Sequence, residues 1–261
     1  MADWRLDPFF QHPRTQVRSS EGSFEVPVLY FDTGVFWTWY RVDLAAAQML
    51  VQPHGLNALR FSGGKAMACV AFCEHRETTL GPYHEAILSV AVIPHTQRAP
   101  ALPFLSLFRK LDKNVAGYYI LDLPVTTALA CAAGRELAGY PKFVASIRYS
   151  LDQHRFQGTV ADPDSECELL KLEGQTGMGV PCPLVDFAAY TSLDGKLMRS
   201  LSWVRGQGKL CAAGSVRLST GTSGHPMAQH LRVLGLADAR PVLAIYCHSF
   251  QCRLGAGYPI P

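Results

Sequence analysis

The stretch that decides the fold is GRELAGYPKFVASIRY, residues 134–149. The alanine-rich run before it predicts a helix over 125–137 that ends at Gly139. The apolar, β-branched and aromatic run 143–149 predicts a strand. Lys142 should therefore lie at a helix-to-strand corner.

Lys142 is flanked there by Tyr140, Pro141 and Phe143, which would leave it poorly solvated. Burial disfavours the ammonium form of a lysine, and a neutral amine is a nucleophile toward carbonyl groups. The alternative interpretation is a solvated surface charge, as nearly all of the 24 lysines and arginines must be. The residues alone leave both interpretations open.

Outward from this stretch, the chain is predicted to be mostly short strands separated by turn residues. The predicted strands are 28–31 and 35–40 around an Asp32-Thr33-Gly34 turn, 59–61, 66–73, 85–93, 118–123, 146–151, 157–161, 168–173, 187–192, 196–204, 209–218, and 242–254 with a bend near 247–250. The other predicted helices are 44–52 with Asp43 as N-cap, 104–111, and one that Ser223 to Pro226 opens and that reaches about Leu234.

Many strands without a regular alternation of strands and helices favour an α+β fold that is mainly antiparallel β. We expect a curled sheet or closed barrel with helices packed outside and at one end. No linker divides the chain, so we predict a single domain over 1–261, in which 1–27 forms an irregular N-terminal segment.

Composition narrows the classes of protein further. The chain has 261 residues, 48% hydrophobic content and a formal net charge of +3, with no basic stripe of the kind that binds nucleic acid. No apolar run approaches the roughly 20 residues of a membrane-spanning helix, and no secretion signal begins the chain. We therefore predict a cytoplasmic protein, without nucleic-acid or membrane partners, whose eight cysteines are reduced.

Other kinds of site find little support. Cys247, His248 and Cys252, or Cys69 and Cys73, lack the second pair of ligands that a structural zinc centre needs, so we predict no metal. No Gly-x-Ser-x-Gly string is present, which argues against a serine hydrolase of that type.

The string Gly-Arg-Glu-Leu-x-x-Tyr-Pro-Lys, residues 134–142, closely resembles the motif that carries the Schiff-base lysine of the acetoacetate decarboxylase superfamily. The resemblance implies an antiparallel β-barrel or cone whose interior holds Lys142. It also implies a small carbonyl substrate, self-association into a homo-oligomer, and no cofactor, because the iminium itself accepts electrons.

The resemblance extends to residues 80–87, LGPYHEAI, which are similar to the segment that carries the family's proton-transferring glutamate. It implies Glu85 in that role, with Tyr83 on the same strand face as a hydrogen-bond donor. Tyr140, Phe143 and Tyr258 are the expected dry wall of the substrate site. Without the resemblance, the sequence also allows Glu85 to be a surface carboxylate and Tyr83 to be a core tyrosine.

This chain departs from the family pattern at three places. Phe143 replaces a second lysine, no arginine occurs within 30–36, and a further glutamate is replaced near Val70. These departures favour a Schiff-base lyase with aldolase or dehydratase chemistry on a keto acid or ketone. The alternatives are decarboxylation of a β-keto acid such as acetoacetate, and a small-molecule-binding barrel without catalysis.

Overall fold

The computed structural model describes residues 4–106, 110–165 and 167–260. The strands are β1 (Thr15–Ser19), β2 (Gly22–Val26), β3 (Val28–Asp43), β4 (Leu56–Ala58), β5 (Lys65–Thr78), β6 (Tyr83–Pro94), β7 (Gly117–Val125), β8 (Lys142–Val144), β9 (Ile147–Leu151), β10 (Arg155–Ala161), β11 (Glu168–Gln175), β12 (Val180–Cys182), β13 (Phe187–Leu193), β14 (Lys196–Arg205), β15 (Gly208–Leu210), β16 (Arg217–Thr220), β17 (Leu243–Leu254) and β18 (Tyr258–Pro259). The α-helices are α1 (Leu44–Val51), α2 (Pro103–Ser106), α3 (Ala128–Ala138) and α4 (Pro226–Val233).

A closed barrel forms the centre of the molecule. Its strand order is β17-β3-β5-β6-β7-β13-β14, and β14 pairs again with β17 to complete the ring. Every pairing around the ring is antiparallel except β7 with β13. The prediction of a mainly antiparallel β-barrel is confirmed.

A second sheet, in the order β16-β11-β10-β9, covers part of the barrel's outer surface. The Phe156 ring of this sheet stacks on Phe36 with ring centroids 4.1 Å apart and lies 5.7 Å from the Phe72 ring. Successive side chains of a strand point to opposite faces. Because Phe72 points to the outer face of β5, Cys73 points to its inner face. One face of β5 thus packs a core while the other faces the barrel interior.

The helix ends follow the predicted caps. The Asp43 carboxylate accepts hydrogen bonds from the backbone N–H groups of Ala45 and Ala46 at the start of α1. At the end of α3, Gly139 has φ +68°, the left-handed conformation that glycine adopts without strain. The α3 and α4 predictions are therefore confirmed to within a few residues.

The predicted hairpin over 28–40 is wrong, because β3 runs through it without a turn. Its pairing with β5 shifts register on either side of Asp32, so an extra residue is absorbed as a bulge. Gly34 serves close packing here: a Cβ would lie 2.8 Å from the Tyr149 hydroxyl and 2.9 Å from an Arg76 nitrogen.

Three further predictions need correction. Residues 15–26, predicted as irregular, form the hairpin β1–β2, which turns at Ser20 and Glu21. The single strand 209–218 is instead β15 and β16, which belong to different sheets. The strand predicted at 59–61 lies earlier, as β4.

The predicted helix 104–111 is only partly within the described residues: α2 ends at Ser106, and 107–109 lie outside them. The described helices are all too short or too polar to cross a bilayer. The single-domain assignment stays a prediction.

Candidate active site

A cavity of about 120 Å³ lies inside the barrel. All seven barrel strands contribute to its wall, and α3 adds Ala133, Gly134, Leu137 and Ala138. A bulge in β7, between its pairings with Leu88 and Ser89 of β6, turns both Ile120 and Leu123 toward the cavity. The wall is mainly apolar.

Lys142 is the first residue of β8, the short strand that follows the α3 corner. β8 pairs in parallel with β7, with Lys142 opposite Leu123. The Arg135 guanidinium donates a hydrogen bond of 3.2 Å to the Lys142 carbonyl oxygen, and the Tyr140 N–H donates to the Gly134 carbonyl. Backbone contacts within the 134–142 motif therefore fix where the lysine side chain begins.

Gly134 makes room for that side chain. A Cβ at this position would lie 2.6 Å from both Cδ and Cε of Lys142, closer than real contacts allow. The lysine stem therefore crosses α3 where the helix has no side chain. The motif needs glycine at this position because the lysine occupies the space.

Inside the cavity, the Lys142 ammonium donates a hydrogen bond of 3.0 Å to Oε2 of Glu85. Each of the two residues is only 7% exposed. Burial raises the pKa of Glu85, but the neighbouring groups, Lys142 first, outweigh that effect and lower it to about 2. Glu85 is thus an ionised carboxylate at neutral pH, held in a dry site by its cation.

His75 stands on the other side of Glu85 and was not predicted from the sequence. Its Nε2 lies 3.9 Å from Oε1 of Glu85 and has no hydrogen-bond partner among the described residues. Its Nδ1 lies 3.1 Å from the Thr33 hydroxyl. Its ring lies between Tyr30 and Tyr83, with centroids 4.7 Å and 4.5 Å away. Burial lowers the pKa of His75, which favours a neutral imidazole.

Of the predicted wall and donor residues, two tyrosines lie near the lysine. Tyr140 lines the cavity, and its ring centroid is 6.0 Å from Nζ of Lys142. The Tyr83 ring centroid is 5.6 Å from the same atom, and its hydroxyl lies 3.2 Å from that of Tyr30. Burial raises the pKa of both tyrosines well above the usual range, so each remains a neutral phenol.

Two predicted wall residues lie elsewhere. Phe143 is next to Lys142 in β8 and therefore points to the opposite face, where its ring packs 4.6 Å from the His225 ring. Tyr258 is 39% exposed, and its hydroxyl accepts a hydrogen bond of 3.0 Å from Arg199. Neither belongs to the cavity wall.

Three of the site's side chains could in principle hold a metal: ligand atoms of Cys73, His75 and Glu85 lie within 4.8 Å of one another. Two features of the donor set oppose it. Glu85 already binds the Lys142 cation, and burial raises the pKa of the Cys73 thiol well above its usual value. Metals bind the thiolate, so this cluster favours organic over metal chemistry.

A larger hollow of about 570 Å³ adjoins the cavity and shares Val26, Leu137 and Gly255 with it. Its wall includes Arg253, whose guanidinium lies 4.6 Å from the Trp203 ring. On one side, the cavity therefore adjoins a hollow with a more polar wall.

A model of one protein family, described as acetoacetate decarboxylase, matches residues 12–193. This match covers more than half of the chain and includes Lys142, Glu85 and His75. The chain belongs to the acetoacetate decarboxylase family. A search of curated proteins found no match.

Several solved structures share the fold of this chain at low sequence identity. An acetoacetate decarboxylase from Legionella pneumophila subsp. pneumophila str. Philadelphia 1 has a TM-score of 0.67 at 13% identity, covering 98% of this chain and 93% of its own. An acetoacetate decarboxylase-like enzyme from Sphingomonas wittichii RW1 has a TM-score of 0.63 at 18% identity, and the match covers 90% of this chain and 92% of that enzyme's chain. A third structure is the enduracididine biosynthesis enzyme MppR, complexed with the condensation product of pyruvate and imidazole 4-carboxaldehyde. It has a TM-score of 0.59 at 14% identity, and the match covers 89% of each chain.

Proposed function

We propose that this protein is a Schiff-base-forming lyase in which Lys142 attacks the carbonyl carbon of a keto acid or ketone. The observation that carries the proposal is the buried lysine, which faces a cavity and has Glu85 at 3.0 Å. A buried amine beside a base is the arrangement that carbonyl addition needs. An ordinary structural ion pair would have no need of the open space.

Formation of the imine leaves the charge of the pair unchanged. Glu85 takes one proton from the Lys142 ammonium, and the neutral amine adds to the carbonyl carbon to give a carbinolamine. The protonated Glu85 then returns its proton to the departing oxygen, which leaves as water. One ammonium and one carbonyl become one iminium and one water, so the Glu85 carboxylate ends beside a cation, as it began.

Glu85 is also placed for the steps that follow. As a base it removes a proton from the carbon next to the iminium and gives an enamine, which can add to a second carbonyl or expel a leaving group. His75 can share the proton on Glu85, because its Nε2 lies 3.9 Å from Oε1 of Glu85 and has no other partner in the part of the chain that the structure describes. The tyrosines 30 and 83 remain neutral and can act as hydrogen-bond donors.

Two net reactions use this intermediate. Aldolase or dehydratase chemistry is our first candidate, supported by the MppR complex with a condensation product, which shows that this fold accommodates such a ligand. Decarboxylation of a β-keto acid is the second candidate, supported by the family match. Both require the same imine at Lys142.

The test is reductive trapping. The protein is incubated with a panel of ketones, aldehydes and keto acids, reduced with borohydride, and weighed by intact mass spectrometry beside the Lys142→Ala variant. We expect an adduct on the wild type that Lys142→Ala lacks, with a mass that identifies the carbon skeleton. No adduct with any carbonyl compound would instead favour a binding barrel without this chemistry.

A further inference from the structure

One nitrogen atom in the wall of the cavity lacks a partner. His75 of β5 lines the cavity and is 4% exposed, and its Nε2 makes no hydrogen bond within residues 4–106, 110–165 and 167–260. The Tyr30 hydroxyl of the same wall, by contrast, lies 3.2 Å from the Tyr83 hydroxyl. Leaving a buried polar group unpaired costs free energy, so such a nitrogen at a cavity indicates that a bound molecule supplies the partner.

The surroundings of His75 decide which of its two nitrogens carries the proton. The Thr33 hydroxyl of β3 lies 3.1 Å from Nδ1. If Nδ1 carried the proton, the lone pair of Nε2 would face the ionised Glu85 carboxylate, whose Oε1 is 3.9 Å away. In the opposite tautomer Thr33 donates to Nδ1 and Nε2 carries the proton, which turns this repulsion into attraction. Nε2 is therefore a hydrogen-bond donor.

The imidazole ring of His75 is held in place by several strands. Its neighbours are Tyr30 and Thr33 from β3, Tyr83 and Glu85 from β6, and Lys142 from β8. Burial lowers the pKa of His75 and raises the pKa of both tyrosines, so the ring and the two phenols are neutral. A donor that is fixed in advance stabilises developing charge better than one that must first be oriented.

Glu85 connects this donor to the reacting atoms. Its Oε2 accepts the hydrogen bond of 3.0 Å from Nζ of Lys142, and its Oε1 is 3.9 Å from Nε2 of His75. That gap is too long for a direct hydrogen bond, but each hydrogen bond spans about 2.8 Å, so a single oxygen atom can lie within reach of both Oε1 and Nε2. When Lys142 adds to a carbonyl group, the carbonyl oxygen is two bonds from Nζ and takes its proton from Glu85. This oxygen is the substrate atom that fits the position.

We propose that His75 is a catalytic residue, which donates its Nε2–H to the carbonyl oxygen of the substrate while Lys142 adds to the carbonyl carbon. This inference rests on the proposed imine at Lys142. As the C–N bond forms, an electron pair of the C=O bond moves to the oxygen. Two protons of the Lys142 ammonium reach that oxygen through Glu85, the C–O bond breaks, and water leaves. His75 keeps its own proton throughout and stabilises the negative charge that develops on the oxygen.

The experiment follows the exchange of the carbonyl oxygen of acetone and 2-hexanone with water that carries heavy oxygen. Reversible formation of the imine replaces this oxygen with one from the solvent, and mass spectrometry measures the replacement. Lys142→Met gives the rate without an imine, and Lys196→Met, at an exposed lysine, is its control. His75→Met removes the donor at nearly the same side-chain length, whereas His75→Gln keeps an N–H group near the position of Nε2. Urea unfolding checks that each variant is folded.

We expect the rate at saturating ketone to fall at least about tenfold in His75→Met, because loss of one such donor costs up to about 10³-fold in rate. His75→Gln should exceed His75→Met several-fold, which a merely structural role of the ring would not produce. A smaller fall in His75→Met, or a His75→Gln rate no higher than that of His75→Met, would overturn this inference. The imine proposal would then still stand if Lys142→Met lost the exchange. Exchange in the wild type that is no faster than in Lys142→Met, with both ketones, would overturn both.

Discussion

Two buried carboxylates on opposite faces of the β6–β7 part of the barrel each bind a basic side chain. On the inner face, Glu85 of β6 binds Lys142 at the cavity. On the outer face, Asp122 of β7 binds His230 of α4 with an Nδ1–Oδ2 distance of 2.8 Å. Both carboxylates are nearly inaccessible, at 7% and 5% exposure.

The surroundings of the two pairs differ more than the pairs themselves. In the outer pair, the His230 side chain is 28% exposed to solvent, while its helix α4 buries Met227, Ala228 and Leu231 in the core. The inner pair faces the cavity, and beside it lies the His75 Nε2, which has no hydrogen-bond partner within residues 4–106, 110–165 and 167–260. The inner pair therefore has space beside it for a bound molecule, whereas the outer pair joins α4 to the barrel wall.

The largest expected effect comes from removing the inner amine. Lys142→Met keeps the length of the side chain but cannot form an imine, so exchange of the α-protons of 2-hexanone in D₂O should fall at least about 10³-fold. NMR follows this exchange without knowledge of the natural substrate. Lys196→Met is the matched control and should leave the rate unchanged. A Lys142→Met rate within tenfold of wild type would refute nucleophilic catalysis at this site.

Glu85→Gln separates proton transfer from addition. Removal of a general base typically costs about 10²–10⁴-fold in rate, so α-proton exchange should fall by that amount. The amine itself remains, and without its anionic partner it is freer to lose its proton, so reductive trapping at Lys142 should persist within about tenfold. If both readouts fell to the Lys142→Met level, the assigned division of roles would be wrong.

Gly134→Ala tests the position of the amine. The added methyl group would press on Cδ and Cε of Lys142 and displace Nζ from Glu85, which should lower trapping about tenfold or more. Alanine favours the α3 helix by roughly 0.5–1 kcal/mol, which opposes the cost of the added methyl group, and urea unfolding of the variant checks that lower trapping does not reflect unfolding. Gly214→Ala, where a Cβ meets nothing within 4 Å, is the matched control. Unchanged trapping in Gly134→Ala would contradict the packing described for the lysine stem.

The two pairs should respond to opposite ends of the pH range. The pKa of Glu85 is lowered from 4.5 to about 2 in the folded protein, so its contribution is complete above pH 4.5 and is lost as pH falls toward 2. Urea unfolding of the wild type and of Glu85→Gln measures the contribution of Glu85 to the unfolding free energy. The difference in unfolding free energy between them should shrink by about 3 kcal/mol over that interval. A difference that stays constant would show that Lys142 does not hold the carboxylate ionised.

The outer pair gives the smallest effect and the reverse sign. The hydrogen bond to Asp122 raises the pKa of His230 above 6.5, against the opposing effect of burial. Its contribution is therefore complete below pH 6.5 and is lost as pH rises through the folded pKa. Asp122→Asn should lower the unfolding free energy by about 1–3 kcal/mol at pH 6 and by less at pH 9. Asp122→Asn should leave α-proton exchange unaffected. A large loss of exchange in this variant would show that the outer pair influences the site at Lys142.

The sequence predicted those parts of the site that are local. Residues 134–142 contain the corner, the cap and the lysine, and the position of Glu85 followed from its resemblance to a known segment. His75 had no such signal, because its place depends on β5 pairing with β6, which brings it opposite Tyr83. Phe143 and Tyr258 were expected in the dry wall, whereas strand alternation turns Phe143 away from the cavity and Tyr258 is exposed.

The same limit applies to the fold. Short apolar runs bounded by turn residues predicted most strands, but closure of the ring depends on β14 meeting both β13 and β17, which no local pattern encodes. The segment Asp32-Thr33-Gly34 has the composition of a turn, yet β5 pairs alongside it and keeps it extended. Tertiary pairing outweighs the local preference there.

The most direct test of the account is to find the modified residue after the protein is reduced with borohydride in the presence of a ketone. We expect peptide mapping to place the adduct on Lys142, at sub-stoichiometric ketone and ahead of every exposed lysine. Adducts confined to exposed lysines, with the Lys142 peptide unmodified, would contradict it.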